Sequence, residues 1–311
     1  MQWLSKLKRN QSDDYYEIYE NVSLSSKTSF RLGGPAKVYV CPRSEKAVSD
    51  IMSFSSKEDV PLWVLGGGTN VLVHDDGLPG IVVGTSKLRD ITWEIRGSDV
   101  YVFVYSGFAL PELVAIALKN GWSGLEFAAG IPGTVGGALA GNAGANGRAV
   151  GDLVEWVKTV EKNGEVIQWE KNDLVFSYRY SNIYSPDRVI SQSCLKLKVS
   201  ETRKVMDLFM EYKKRRKMQP MKKRTAGCVF KNPSPDMSAG MLLERAGCKG
   251  LSKGGACVSN VHANFIEVEG DAKASDVYSL IECCKERVYA CFGVSLELEI
   301  RLFGGPWVYV E

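Results

Sequence analysis

Histidine is nearly missing from this chain: His74 and His262 are the only two in 311 residues. Eight cysteines are present, but Cys41, Cys194, Cys228, Cys248, Cys257, Cys283, Cys284 and Cys291 follow no metal-ligand spacing. Zinc is held by closely spaced Cys and His ligands, so no metal site is expected. Adjacent Cys283 and Cys284 fall inside a helical pattern, which points to packed, reduced thiols and not to a secreted disulfide framework. Long apolar runs are lacking too. No stretch approaches the ~20 apolar residues of a membrane span, and the opening MQWLSKLKRNQSDDYYEIYE has no apolar h-region. The expectation is a cytoplasmic protein with no membrane partner. Net charge is only +3, which gives the whole molecule no electrostatic case for nucleic-acid binding.

What is present is an ordinary globular composition, 45% hydrophobic and 24% charged, in a chain long enough for two or three domains with real cores. One stretch stands apart. Gly121 to Gly147 reads GWSGLEFAAGIPGTVGGALAGNAGANG, with nine glycines in 27 residues and Glu126 as its only charged side chain. Glycine raises the entropy cost of ordering the backbone and supplies nothing to pack, so no regular helix or strand is built this way. Linkers are polar, whereas this run carries Leu125, Phe127, Ile131, Val135 and Leu139. The composition suits bare backbone brought close to an anion or a cofactor ring held by N–H groups.

Residues 1–22 are polar and Tyr-rich and read as a surface helix or a loosely held extension. Gly33-Gly34-Pro35 is turn chemistry before a strand at Lys37–Val40, and Ser44 to Lys57 has a helical apolar face. The strand Leu62–Leu65 runs into Gly66-Gly67-Gly68-Thr69-Asn70, and another strand follows at Val71–Val73. Glycines between two strands differ from the dinucleotide fingerprint, where they open a helix. A helix at Pro111–Asn120 has proline at its start and Gly121 past its end. Asn163-Gly164 marks a hairpin between Val157–Val160 and Val166–Trp169, and a strand follows at Val189–Val199.

Lys213 to Lys217 and Lys222 to Arg224 place eight cations in 12 residues, a site for an anionic substrate, a solvated helix end or a nucleic-acid patch. Further on, Asp236 or Ser238 caps a helix ended by Gly247, and Ser275 caps a longer one closed by Gly293. Last comes a strand in which Val294, Leu296, Leu298, Ile300 and Leu302 alternate with Ser295, Glu297, Glu299, Arg301 and Phe303. Periodicity does not say which glutamate, if either, does chemistry.

Seven motifs occur in an order and spacing that resemble the UDP-N-acetylenolpyruvoylglucosamine reductase (MurB) family. They are SFRLGGPA, LGGGTNVLV, GLEFAAGIPGTVGGALAGNAGANG, FSYRYS, QP…AGCVFKNP, GGACVSNVHANF and GVSLELEIRLFG, and they span about Ser23 to Gly304. The resemblance implies an α+β protein: a two-lobed FAD-binding domain of the vanillyl-alcohol-oxidase (PCMH) type, followed by a C-terminal α/β substrate domain. The implied boundaries are an extension at 1–22, FAD lobes at 23–85 and 86–202, and a substrate domain at 203–311. It implies FAD reduced by NADPH, a UDP-sugar substrate, and reduction of an enolpyruvyl ether to UDP-N-acetylmuramate in peptidoglycan precursor synthesis. The segment Tyr178-Arg179-Tyr180-Ser181 looks like the shorter of the family's two structural types.

By matching position, Arg179 and Glu299 act at the substrate carboxylate, where charge builds as hydride adds to the enol ether. Cys228 stands where the family usually has serine in AGSxFKNP, and takes the role of proton donor. A thiol, with an ordinary pKa of about 8.5, is a stronger acid than an alcohol and fills a similar volume. Gly66, Gly67, Gly68, Thr69 and Asn70, with Ala129, Gly130, Gly133, Thr134, Gly136, Gly137 and Asn142, are assigned to FAD. Tyr178, Arg216, Lys217 and Asn232 are assigned to the UDP-sugar. A second departure, Glu267-Val268 where the family tends to Val-Asn, bears on local contacts. Two other readings stay open: an FAD oxidase of the same fold, and a non-catalytic flavin or UDP-sugar binder made conceivable by Cys228.

Overall fold

The structure, a computed structural model, describes residues 2–9, 15–216, 220 and 223–307. Lys217 and Lys222 of the basic segment lie outside the described residues. The chain forms two compact units. One holds Met1–Glu20, Val38–Gly67 and Gly80–Arg216; the other holds Asn21–Lys37, Gly68–Pro79 and Lys217–Glu311.

In the first unit the main element is an antiparallel sheet. Its order is Val166–Glu170, Val154–Glu161, Arg188–Val199, Asp99–Tyr105, Ile91–Arg96, with Trp122–Ser123 also paired to the long Arg188–Val199 strand. Asp99–Tyr105 shows why: Val100, Val102 and Val104 are fully buried while Tyr101, Phe103 and Tyr105 are half-exposed, the period of two that one solvated face imposes. Against the buried face pack helix Leu110–Lys119 and the glycine-dense stretch, joining Leu113, Phe127, Val135 and Leu139 in one core. The hairpin turn falls at Asn163-Gly164, where Asn163 Oδ1 accepts from Glu165 N at 2.9 Å and Gly164 takes φ +87.

A four-stranded sheet has the order Tyr16–Ser23, Pro35–Pro42, Leu78–Gly84, Leu62–Leu65, the last two parallel. Helix Glu45–Lys57 covers it, its first turn capped by Ser44 Oγ accepting from Ala47 N at 3.2 Å. The helix expected in residues 1–22 is present, but it is followed by a strand. Gln2–Arg9 is a helix with Leu7 buried, and Tyr16–Ser23 is a sheet strand with Tyr16 buried. The strand is concealed because half of its residues are exposed and only Tyr16 is buried, as expected at a sheet edge.

The second unit packs helices Ala239–Arg245 and Ala274–Phe292 with a small antiparallel sheet of Ser252–Lys253, Ala256–Val258 and Ile266–Val268. Val71–Val73 pairs in parallel with Arg301–Phe303. The alternation expected over Val294–Leu302 holds for burial, since Leu296 and Ile300 are core residues with Val294, Leu298 and Leu302 packed against them. The ladder is shorter than expected. Only Arg301–Phe303 is regular strand, with one further bridge from Leu298 to Phe230. Among the described residues no helix is long and apolar enough to cross a membrane.

Candidate active site

Two glycine segments meet inside the first unit. A Cβ on Gly67 would lie 2.7 Å from Gly133 Cα, and one on Gly66 would lie 2.6 Å from Thr134 Oγ1. Real Cβ atoms do not come so close, so only glycine lets the two backbones touch. Gly133 also takes φ +101, a conformation that side chains rarely adopt. Thr134, itself buried, caps the short helix Val135–Ala140 by accepting from Gly137 N at 3.3 Å. Gly136 N donates to Ser106 O at 2.8 Å, and a Cβ there would strike the Ser106 side chain. Ala129 is buried just before Gly130, which has φ +72.

Where these runs meet in the first unit, the N–H groups of Gly66, Gly67, Gly133 and Thr134 have no acceptor among the described residues. Backbone N–H donors left without an acceptor beside glycine are what a dinucleotide diphosphate requires. These residues therefore fit FAD.

Asn142 and Asn70 also bond within the protein. Asn142 accepts from Gly151 N at 3.0 Å and donates to Ser177 O at 2.8 Å. It ties the glycine-dense stretch to the hairpin of Phe176–Ser177 and Tyr180–Ser181, which Ser181 Oγ also anchors by donating to Ala140 O at 3.1 Å. Tyr178 and Arg179 are the two loop residues of that hairpin. Arg179 is half-buried, takes φ +54, and donates from Nη1 to Gly144 O at 3.3 Å. Positive φ at the second loop residue is the type II turn, where glycine is usual. An arginine there is strained, a feature that concentrates at functional sites. Asn70 donates from Nδ2 to Glu299 O at 3.0 Å and accepts from Arg301 N at 3.0 Å, so it braces the final strand.

In the second unit Cys228 and Glu299 sit on adjoining backbone. Cys228 bridges to Phe265, and Glu299 N donates to Val229 O at 2.8 Å. Asn264, overlooked in the sequence, holds this segment. Its side chain accepts from Phe230 N at 2.9 Å and donates to Phe230 O at 2.8 Å, while its own carbonyl accepts from Val229 N at 2.9 Å. A buried amide that copies a strand neighbour in this way fixes the backbone on either side. The motif HANF contained it, but nothing in the local pattern marked its partner. Glu297 and Glu299 now differ plainly: Glu297 is 78% exposed and pairs with Lys231 at 3.2 Å, whereas Glu299 is half-buried.

Cys228 and Asn232 line a groove of about 610 Å³ with Ser238, Met241, Arg245 and His262. Asn232 Oδ1 accepts from Ala239 N at 3.0 Å, which sets the start of helix Ala239–Arg245. Burial pushes the His262 imidazole below its ordinary pKa, so the ring is neutral; its Nδ1 accepts from Asn264 N at 3.2 Å, which leaves Nε2 to carry the proton. The basic segment is less available than its composition suggests. Lys223 pairs with Glu269, and Arg224 donates to Val268 O and Gly270 O. Arg216 ends helix Thr202–Arg216 of the first unit, and Lys217 is outside the described residues.

A family model described as an FAD binding domain matches residues 36–170, and one described as the C-terminal domain of UDP-N-acetylenolpyruvoylglucosamine reductase matches 219–303. The reductase of that name from Moorella thermoacetica is 40% identical over 93% of this chain and 94% of its own length. The one from Caldanaerobacter subterraneus is 37% identical over 93% and 94%. The crystal structure of the Thermus caldophilus enzyme superposes with a TM-score of 0.77 at 34% identity, covering 93% of this chain and 99% of that one. Berberine bridge enzyme from Eschscholzia californica, at 18% identity and a TM-score of 0.50 over 64% of this chain and 44% of its own, shares the fold alone. The chain belongs to the UDP-N-acetylenolpyruvoylglucosamine reductase family, a flavin-dependent oxidoreductase with the PCMH-type FAD-binding fold and a C-terminal α/β domain.

Proposed function

We propose that the protein reduces UDP-N-acetylglucosamine enolpyruvate to UDP-N-acetylmuramate, with NADPH as reductant and Cys228 as proton donor, for peptidoglycan precursor synthesis. FAD, when bound, supplies the hydride to one carbon of the enol ether. The remaining work falls to side chains. Hydride addition leaves enolate-like charge on the substrate carboxylate, and a guanidinium fork matches it in shape and sign, which is the role given to Arg179. Glu299 assists at the same carboxylate when it carries a proton. The Cys228 thiol then gives its proton to the neighbouring carbon and is restored from solvent, so that NADPH and one proton are consumed for each ether reduced. Asn232 and Tyr178 hold the UDP-sugar.

The observation that supports this reading is the frame around Cys228: Asn264 pins the residues beside it, Glu299 adjoins it, and it opens into the groove that Asn232 lines. An oxidase or a simple binder has no need of a proton donor so placed.

Purified protein should be yellow, with a flavin absorbance band, and should oxidise NADPH only when the enolpyruvyl substrate is added. A colourless protein rules the proposal out, and substrate-independent oxidation coupled to oxygen favours the oxidase. Loss of a general acid costs about 10²–10⁴ in rate. Cys228→Ala should therefore lose turnover on that order, while Cys228→Ser keeps much of it and extends activity to higher pH. Near-full turnover in the alanine variant removes Cys228 from the mechanism.

A further inference from the structure

The groove that carries Cys228 is lined by one cation, Arg245, that pairs with nothing among the described residues. Arg245 is the last residue of helix Ala239–Arg245, is exposed, and lines the groove together with Cys228 and Asn232. Among the described residues it has no carboxylate, carbonyl or ring partner. Glu244, the other charged residue in the lining, is bound by Lys249 Nζ at 2.7 Å. His262 adds no charge, because burial keeps it neutral. The groove is therefore net positive at Arg245 and suited to an anion.

Position along the helix says which anion. Asn232 bonds Ala239 N at the helix start, and Arg245 lies at the other end of its seven residues, about 9 Å further along the axis. A UDP-sugar carries its enolpyruvyl ether on one side of the sugar ring and its diphosphate on the anomeric carbon, so its two charged regions are separated by a ring. With the ether at Cys228, the diphosphate falls further along the groove that Cys228, Asn232 and Arg245 line.

We propose that Arg245 is a substrate-binding residue that takes the diphosphate of the UDP-sugar, an inference that rests on the reductase reading of this groove. The planar guanidinium offers two parallel N–H donors to phosphate oxygens, which a lysine does not. Arg245 acts in binding and not in the chemical step, so its removal separates KM from kcat. An exposed arginine that merely complements the helix end would leave both unchanged.

The test uses the full-length flavoprotein and Arg245→Ala and Arg245→Lys variants, with two readouts. Titration with UDP-N-acetylglucosamine, which lacks the reacting ether, gives Kd without turnover; steady-state kinetics with the enolpyruvyl substrate gives KM and kcat. Arg245→Ala should weaken Kd and raise KM by about tenfold or more, the size of one charge-assisted hydrogen bond, with kcat and the KM for NADPH little changed. Arg245→Lys should fall between. The loss in Kd should shrink as salt is raised. Unchanged Kd and KM in an active alanine variant overturn the assignment of Arg245 alone. A wild-type protein that binds the nucleotide sugar but never reduces the enolpyruvyl ether overturns the reductase reading, and the Kd comparison still decides Arg245.

Discussion

Arg179 adopts φ +54 in a hairpin loop where glycine is the usual residue, and such strain costs of order 1–3 kcal/mol. The anchors around it hold it there: Ser181 on Ala140 O, Asn142 on Ser177 O and its own bond to Gly144 O. His262 is a second residue set by its surroundings. Burial favours its neutral form, so the folded-state pKa lies below the ordinary 6.5. The unfolded chain then takes up the proton more readily, and stability rises with pH. This contribution is complete above about pH 6.5 and is lost as pH falls through 6.5 toward the lower folded-state value. In an NMR titration the His262 ring protons should move with a midpoint below 6.5; a midpoint at or above that value contradicts the burial argument.

Helix Ala274–Phe292 begins in a way that its own sequence conceals. Ser275 looked like its cap, but the chain is already helical there. The first N–H groups are instead met by Asp75, whose carboxylate accepts from Ala274 N at 2.8 Å and Ser275 N at 3.0 Å. A carboxylate at a helix N-terminus satisfies orphan donors and complements the dipole, worth about 1–2 kcal/mol. Asp75→Ala should lower the thermal midpoint by about 2–4 °C in a melt followed by circular dichroism, with Asp75→Asn milder. At its other end the helix closes as expected, on Gly293 at φ +66 with its N–H on Tyr289 O at 2.8 Å. Helix Ala239–Arg245 was legible at both ends too: Ser238 Oγ accepts from Met241 N at 3.2 Å, and Gly247 follows.

Across the molecule, the chain leaves the first unit between Gly67 and Gly68, within the glycine run assigned to FAD. The N–H groups of Gly66, Gly67, Gly133 and Thr134 have no acceptor among the described residues, so a diphosphate bound to them would stabilise the folded chain by mass action. At 100 times its Kd a ligand adds about 2.7 kcal/mol. Flavin-stripped protein should therefore melt several degrees below the holoenzyme and recover on adding FAD, in a calorimetric scan. Equal midpoints at saturating FAD indicate that the flavin lies elsewhere or binds both states alike.

Much of this could be read without coordinates, because the information is local. Ser44 before Glu45–Lys57, Asn163-Gly164 between two apolar runs, and the alternation from Val294 to Leu302 are decided by side-chain period, turn chemistry and capping within a few residues. The glycine density of 121–147 likewise announces close backbone approach. What the backbone approaches is another matter. That Gly67 meets Gly133, that Asp75 caps a helix 199 residues later, that Asn264 brackets Phe230, and that Glu299 is half-covered while Glu297 is exposed are set by distant parts of the chain. Propensity and periodicity carry no term for such pairs. Only the packed cores, by fixing which segments lie side by side, choose among residues that the sequence alone leaves equivalent.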